Sequence, residues 1–443
     1  MARNEAGEMT PIEWLICAVA GIGFVFDTYE LVVLTLIARP ALIDLVGATP
    51  GSAVFNRWIG MLFYIPAVAG GTFGLLGGYL IDRFGRKRIL VWSIFLYCFS
   101  ALAAGFVTSG TQLLILRSST FVGVSVEFVA ATAWLAELFT NRERRESVLG
   151  YAQGFSAIGG ILVSGAYYLA VTYGPKLPAI HGGHEAWRYT LMSGIIPAIP
   201  LVIVRPFLPE SPIWKSKRRN GTLQRPSIGE LFRPEFRRTS LLTCLMMACA
   251  YAVSYGALQH IVRIVPGTPG IRSLPQMAQE HATSYYQGLE ETGGMVGRFL
   301  MAFLAVRLLS RRRLLHIFQL PGLLITPLLF LLPAASDANI PAWATFLAGL
   351  LAIGQFSFWG NYLPLVFPTH LRGTGESFAA NIGGRMLGTS AALLTTTIVA
   401  FMPGGTSTIQ LAYAAGTIGF LAYAIGFAAS FWLPEPSQNA LPE

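Results

Sequence analysis

The chain has 443 residues, of which 53% are hydrophobic and 12% charged, about half the roughly 25% charged share of a soluble globular domain. The charges fall in short clusters between long apolar runs, which argues against a soluble multidomain enzyme and points to lipid as the solvent. Cys17, Cys98, Cys244 and Cys249 all lie inside apolar runs, so no disulfide framework or C-x-x-C metal site is available. The net charge of +9 sits between hydrophobic stretches, where it controls topology rather than binding nucleic acid.

A bilayer-crossing helix needs roughly 20 mostly apolar residues, because lipid offers no partner to an exposed backbone. Twelve stretches meet that need, near 13–38, 57–81, 88–108, 111–139, 148–172, 187–208, 238–264, 281–309, 313–333, 341–367, 375–402 and 408–432. The first does not read as a cleaved signal, since it is too long and carries Asp27 and Glu30 deep within it. Loops on one side, including 83–88, 142–145, 215–238 and 307–313, hold 21 Lys and Arg, whereas the opposite side holds six. By the positive-inside rule both termini are expected in the cytoplasm.

The polar segment 209–237 reads as a cytoplasmic linker between an N-terminal six-helix bundle, 1–208, and a C-terminal one, 238–443. Leu-Pro-Glu at 208–210 recurs at 433–435, Gly-Arg-Lys-Arg at 85–88 answers Ser-Arg-Arg-Arg at 310–313, and Phe139 to Arg144 aligns with Phe367 to Arg372. Three matches at offsets of 225, 225 and 228 point to a parallel duplication.

Between spans 2 and 3 stands Gly78-Tyr-Leu-Ile-Asp82-Arg83-Phe-Gly85-Arg86-Lys87. Its glycines permit a tight turn between helix ends, and its charges suit a cytoplasmic gate, with Glu137, Arg144 and Arg372 at neighbouring helix ends. This segment resembles the G-x-L-x-D-R-x-G-R-K signature of the major facilitator superfamily and matches every fixed position. Pro209-Glu210-Ser211-Pro212-Ile-Trp214 resembles the end of the sixth helix in sugar and metabolite porters. Phe26-Asp27-Thr-Tyr29-Glu30, Arg117 to Glu127, and Phe367 to Gly375 with Asn381 to Arg385 resemble landmarks of proton-linked carboxylate, aromatic-acid and sialate symporters. In the run from Arg117, Ser125 and Val126 replace two of that pattern's glycines. The resemblance implies an all-α membrane protein of twelve transmembrane helices in two parallel six-helix repeats, with substrate handled where the halves meet.

Ionisable side chains within spans are costly to insert, at roughly 2.5 to 3.5 kcal/mol each, and so usually face a partner or a water-filled cavity. Asp27 lies about 21 Å into the first span, with Glu30 one turn further on the same face. Paired carboxyl groups in a poorly solvated site suit proton uptake and release. The resemblance implies Asp27 as the proton carrier with Glu30 as its modulator, and Glu127, facing the cytoplasmic half, is a second candidate proton site. Arg117 either tunes the first-span acids or clamps a substrate carboxylate. Glu291 and Arg298 share a face of span 8, while the adjacent Glu290 points about 100° away. Arg385, one turn beyond Asn381, is a candidate anion site. Tyr29, Gln153, Trp359 and Asn361 are candidates to complete the cavity.

These features lead to a secondary transporter, not an enzyme, that moves a small organic anion with protons across the cytoplasmic membrane. No cofactor, metal or nucleic acid is expected, and no phosphate-binding loop supports use of ATP. A monomer in contact with membrane lipids is expected. The rival readings are a neutral sugar or polyol symporter, which the sixth-helix ending suggests, and a transporter-like sensor, which the short C-terminal tail disfavours.

Overall fold

The computed structural model describes residues 9–139, 144, 148, 151–152, 154–204, 207, 209–220, 227–308, 310–368 and 371–435. Among these residues the chain runs back and forth in twelve helical passages. The first four are α1 (Pro11–Val46), α2 (Ala53–Phe84), α3 (Arg86–Ala104) and α4 (Gly110–Leu138). Then come α5 (Ile158–Tyr173) and α6, in two pieces (Ala186–Ser193 and Ile195–Val204). A short helix, Pro212–Arg219, follows. The second set begins with α7 (Arg237–Gly256, resumed at Ile261–Ile264), α8 (Gln276–Arg307) and α9 (Arg311–Ser336). It ends with α10 (Ala342–Ala352 and Phe356–Val366), α11 (Arg372–Ser377, π-helical Phe378–Gly388, Ala391–Ile398) and α12 (Ser407–Ser430).

Among the described residues ten helices are long and apolar enough to cross a membrane. The passages α8 and α11 are not among them. The first carries the buried Glu290, Glu291 and Arg298, and the second is broken into pieces around the buried Asn381 and Arg385. The first helix also outruns its expected end near residue 38. Pro40 sits inside it, and the chain stops only at Gly47, whose φ of 64° caps the helix in the left-handed region.

One apolar core runs from Ile16 to Leu201, joined by Tyr255, Val262 and Ala392, while two more lie within 231–433. The halves meet along α2 with α11 and α5 with α8. A Cβ on Gly74 of α2 would lie 2.9 Å from the Asn381 carboxamide on α11, and the Ser284 hydroxyl of α8 donates to the Ser164 carbonyl of α5.

The repeated Leu-Pro-Glu motif has a physical role in each half. Glu210 accepts the Lys87 backbone N–H at 3.2 Å, at the start of α3. Glu435 accepts the N–H groups of Arg311 and Arg312 at 2.9 and 3.0 Å, at the start of α9, and the Ser310 hydroxyl at 2.7 Å. Each carboxylate therefore covers unpaired amides at a helix N-terminus, where the macrodipole also favours negative charge. Gly85, at φ 97°, is needed beside Glu210, because a Cβ there would lie 2.6 Å from the carboxylate.

Partial burial pushes the Glu435 carboxyl up, but the donors of Arg312, Ser310 and Arg311 more than reverse this and hold it below the ordinary carboxylate range. A group with a depressed folded-state value stabilises above its unfolded value and loses that contribution as pH falls through the folded one. Glu435→Ala is therefore expected to cost about 1 kcal/mol near neutral pH. The gap to wild type should close on acidification below the carboxylate range. Thermal unfolding in detergent across pH checks this, and a gap that widens in acid would refute it.

Candidate functional site

The first cluster joins α1 to α4. Arg117 Nη1 donates to Glu30 Oε2 at 2.8 Å and Nη2 donates to the Glu30 carbonyl, with the two side chains 0% and 1% exposed. Arg117 thus lies against the first-span acid, with both of its terminal nitrogens bonded to Glu30. Tyr29 faces α6, where its hydroxyl meets Ser193 Oγ at 2.6 Å. Asp27 and Glu127 are both buried, on α1 and α4.

Removing one partner of a buried pair leaves an uncompensated charge, which costs roughly 3–5 kcal/mol, whereas replacing both by apolar groups costs far less. Arg117→Met is thus expected to lower stability by that amount, and adding Glu30→Leu to recover much of it. Unfolding midpoints of the single and double variants measure this. Additive losses would show that the pair does not act as a unit.

The second cluster lies where the halves face each other. Gln287 donates to Glu291 Oε1 at 3.1 Å, and Thr35 of α1 donates to Gln287 Oε1 at 3.4 Å. Gly160 of α5 packs on the Glu291 carboxylate. Gln259 of α7 donates to Glu290 Oε1 at 3.1 Å. Arg298 donates to Ser156, just before α5, interacts electrostatically with Glu291, and lies over the Phe356 ring at 5.6 Å.

Arg385 stands in the π-helical part of α11, a distortion that often marks functional sites. It crosses to α4, where its guanidinium lies over Phe128 at 4.8 Å. Nη1 makes two long bonds of 3.4 Å, to Val124 O and Asn381 Oδ1. Among the described residues Arg385 forms no ion pair. Tyr251 and Tyr255 stack at 5.8 Å between the arginines, Tyr251 against Phe356 at 4.8 Å and Tyr255 against Phe63 at 6.5 Å. Tyr255 is within electrostatic reach of Glu291, Arg298 and Arg385. The result is an aromatic-walled site with two arginines and several amides.

At the end that carries the termini, Arg86 pairs with Glu137 at 2.8 Å and Arg144 approaches Glu13 at 3.9 Å. Gly78 lies within α2, whereas the side chains of Asp82, Arg83, Asn361 and Arg372, and all of Gln153, lie outside the described residues. Trp359 is buried against Phe358 and Tyr362 in a core of the second half, against which Phe128, Tyr251 and Phe356 also pack. At the opposite end the halves are latched. Arg263 donates to Asn56 at 2.9 Å, and His281 bonds Thr172 at 3.0 Å while stacking on Tyr168.

Sequence reasoning missed Gln259, Gln287, Thr35, Tyr251, Tyr255 and Phe128. The signal was faint: Gln287 and Glu291, and Tyr251 and Tyr255, are four residues apart on one helix face.

Residues 15–392 match the sequence model described as Major Facilitator Superfamily. The probable 4-methylmuconolactone transporter of Cupriavidus pinatubonensis is 28% identical, over 95% of this chain and 90% of the relative. The cis,cis-muconate transport protein of Acinetobacter baylyi is 27% identical, over 70% of this chain and 71% of the relative. Among solved structures, the xylose transporter XylE from E. coli in a partially occluded inward-open conformation superposes with a TM-score of 0.68 at 16% identity, over 93% and 96% of the two chains. Twelve helical passages in two parallel sets, a polar cluster between the halves and a family match over most of the length have one reading: the chain belongs to the Major Facilitator Superfamily and is a multi-pass membrane transporter.

Proposed function

We propose that the chain moves a small organic anion, a carboxylate, together with protons across the cytoplasmic membrane by alternating access, with both termini in the cytoplasm. The observation that carries this reading is Arg385, a buried cation without a carboxylate partner among the described residues, set between the halves on an aromatic face. A planar guanidinium there suits a bidentate carboxylate, and the aromatic walls suit an unsaturated body. Two of the relatives are named for muconolactone and muconate, which supports the same class.

In this reading Asp27 carries the proton, with Glu30 and Glu127 as the neighbouring acids. Substrate is held by Arg385, Arg298, Glu291 and Asn381. The motif from Gly78 to Lys87, with Glu137, Arg144 and Arg372, closes the cytoplasmic gate, and the halves 1–208 and 238–443 rock about the site. The amides of Gln259, Gln287 and Asn381 favour one second reading, a neutral sugar or polyol bound through its hydroxyls. Uptake into proteoliposomes across a panel of organic acids and sugars, with an imposed pH gradient, separates the two. Accumulation of a carboxylate with an inward proton gradient is expected. Accumulation of sugars alone would overturn the proposal.

A further inference from the structure

Glu290 and Glu291 are consecutive, both buried, and used differently by the fold. Glu291 faces the boundary between the halves, with Gly160 of α5 against its carboxylate and Arg298 as its electrostatic partner. Glu290 faces into the second half. Its backbone is pressed against Gly349 of α10, and its side chain meets Gln259 of α7 at 3.1 Å. The titratable and charged groups around it are few. Its own helix offers Glu291 and Arg298. From α7 come Tyr255 and His260, whose ring is bonded to Arg263. The stretch 342–355 of α10 has no titratable residue. Thus, among the described residues, Glu290 has a single amide as its partner, one that also reaches Glu291, and no cation paired with it.

The unfilled atoms in this pair match each other. Glu290 Oε2 and Gln259 Oε1 are both buried and without a hydrogen-bond partner among the described residues. Both are acceptors while Glu290 is ionised, so neither can satisfy the other. A proton on Oε2 turns one of them into a donor and permits acid–amide pairing, with N–H donating to the acid and O–H donating to the amide oxygen. An ionised Glu290 would instead hold a second negative charge beside Glu291, in a site where burial magnifies the repulsion.

We propose that Glu290 is a neutral carboxylic acid with a resident proton, paired with Gln259, and that this neutrality sets the charge preference of the site. The count is simple. Ionised Glu290 and Glu291 against Arg298 and Arg385 leave this face of the second half without net charge, and an anion gains nothing by entering. With Glu290 neutral, Glu291 balances Arg298 and Arg385 is left as one free positive charge for the substrate. This rests on the anion reading above, and Glu290 acts as a positioning and selectivity residue rather than as the coupling acid. Its backbone packing on Gly349 of α10 and its bond to Gln259 keep the proton in place through the cycle.

Infrared spectroscopy of the full chain in liposomes tests the proton directly. A buried carboxylic C=O band, shifted by deuteration, should persist across the pH range in which surface carboxylates are ionised and should vanish in Glu290→Gln. Gln259→Met should keep the band but move it toward that of an unbonded acid. Transport is read on the same samples with benzoate as the carboxylate probe and benzamide as the neutral one. Glu290→Gln should keep the preference for benzoate and move the same number of protons per substrate as wild type. Should Glu290→Gln not fold, the Gln259→Met band shift decides the question. A wild-type band that neither variant alters, or a Glu290→Gln transporter that moves one proton fewer, would overturn the proposal. Failure of the anion reading looks different: wild type would carry benzamide rather than benzoate while the band still responded to both variants.

Discussion

Asp27→Asn is expected to abolish proton-driven accumulation while leaving substrate binding and exchange intact. Asp27 is buried on α1, one turn before Glu30. Glu30 already has its charge matched by Arg117 at 2.8 Å. The first-span acids therefore differ: Glu30 is held in a pair with Arg117, and the proposed function gives the exchange of the proton to Asp27. An amide keeps the size and most of the hydrogen-bonding shape of the side chain, so the fold and the substrate site should survive. It cannot release a proton, so the arrangement of the halves no longer depends on pH at this position. A one-unit pH gradient is worth about 1.4 kcal/mol per proton, or roughly tenfold accumulation. In the variant that ratio should fall to unity, with counterflow exchange unchanged. Substrate-induced alkalinisation followed in vesicles decides the matter, and unchanged proton uptake would remove Asp27 from the mechanism.

The overall fold was legible because lipid imposes a coarse rule. Long apolar runs and basic loops are visible in composition alone, and the parallel repeat showed in three short matches. The site was legible only as a set of intramembrane charges. Sequence spacing placed Glu291 and Arg298 on one face of α8, and the structure has them interacting. It left two roles open for Arg117, since the choice depends on a contact 87 residues away across two helices. The amides and aromatics were the hardest to see. Tyr251, Tyr255 and Phe128 are ordinary residues for a membrane span, and only the glycine-rich packing of α11 on α7 and the reach of Arg385 across to α4 bring them together. Gly384 and Gly388 let Tyr251 approach so closely that a Cβ on either would collide with its side chain.

Arg385→Lys is expected to weaken carboxylate binding by about tenfold to a hundredfold and to spare binding of the matching amide. A charge-assisted hydrogen bond contributes roughly 1.5–3 kcal/mol, and the bidentate geometry needs the planar fork that lysine lacks. The guanidinium is placed for this. Its two protein hydrogen bonds both come from Nη1 and are both long, at 3.4 Å, so Nη2 and Nε remain uncommitted among the described residues. The ring of Phe128 beneath it, at 4.8 Å, holds the plane in orientation and offsets part of the cost of burying the charge. Arg117 is the control within the same molecule. Its fork is already filled by Glu30, so Arg117→Lys should cost stability through the lost bidentate contact but leave the carboxylate-to-amide preference as it is in wild type. Binding of a transported carboxylate and its amide to wild type and both lysine variants, each first shown to be folded, gives the comparison. If Arg385→Lys leaves the preference unchanged, or wild type prefers the amide, Arg385 is not the clamp, and a neutral ligand held by the amides of Gln259, Gln287 and Asn381 becomes the better account of the site.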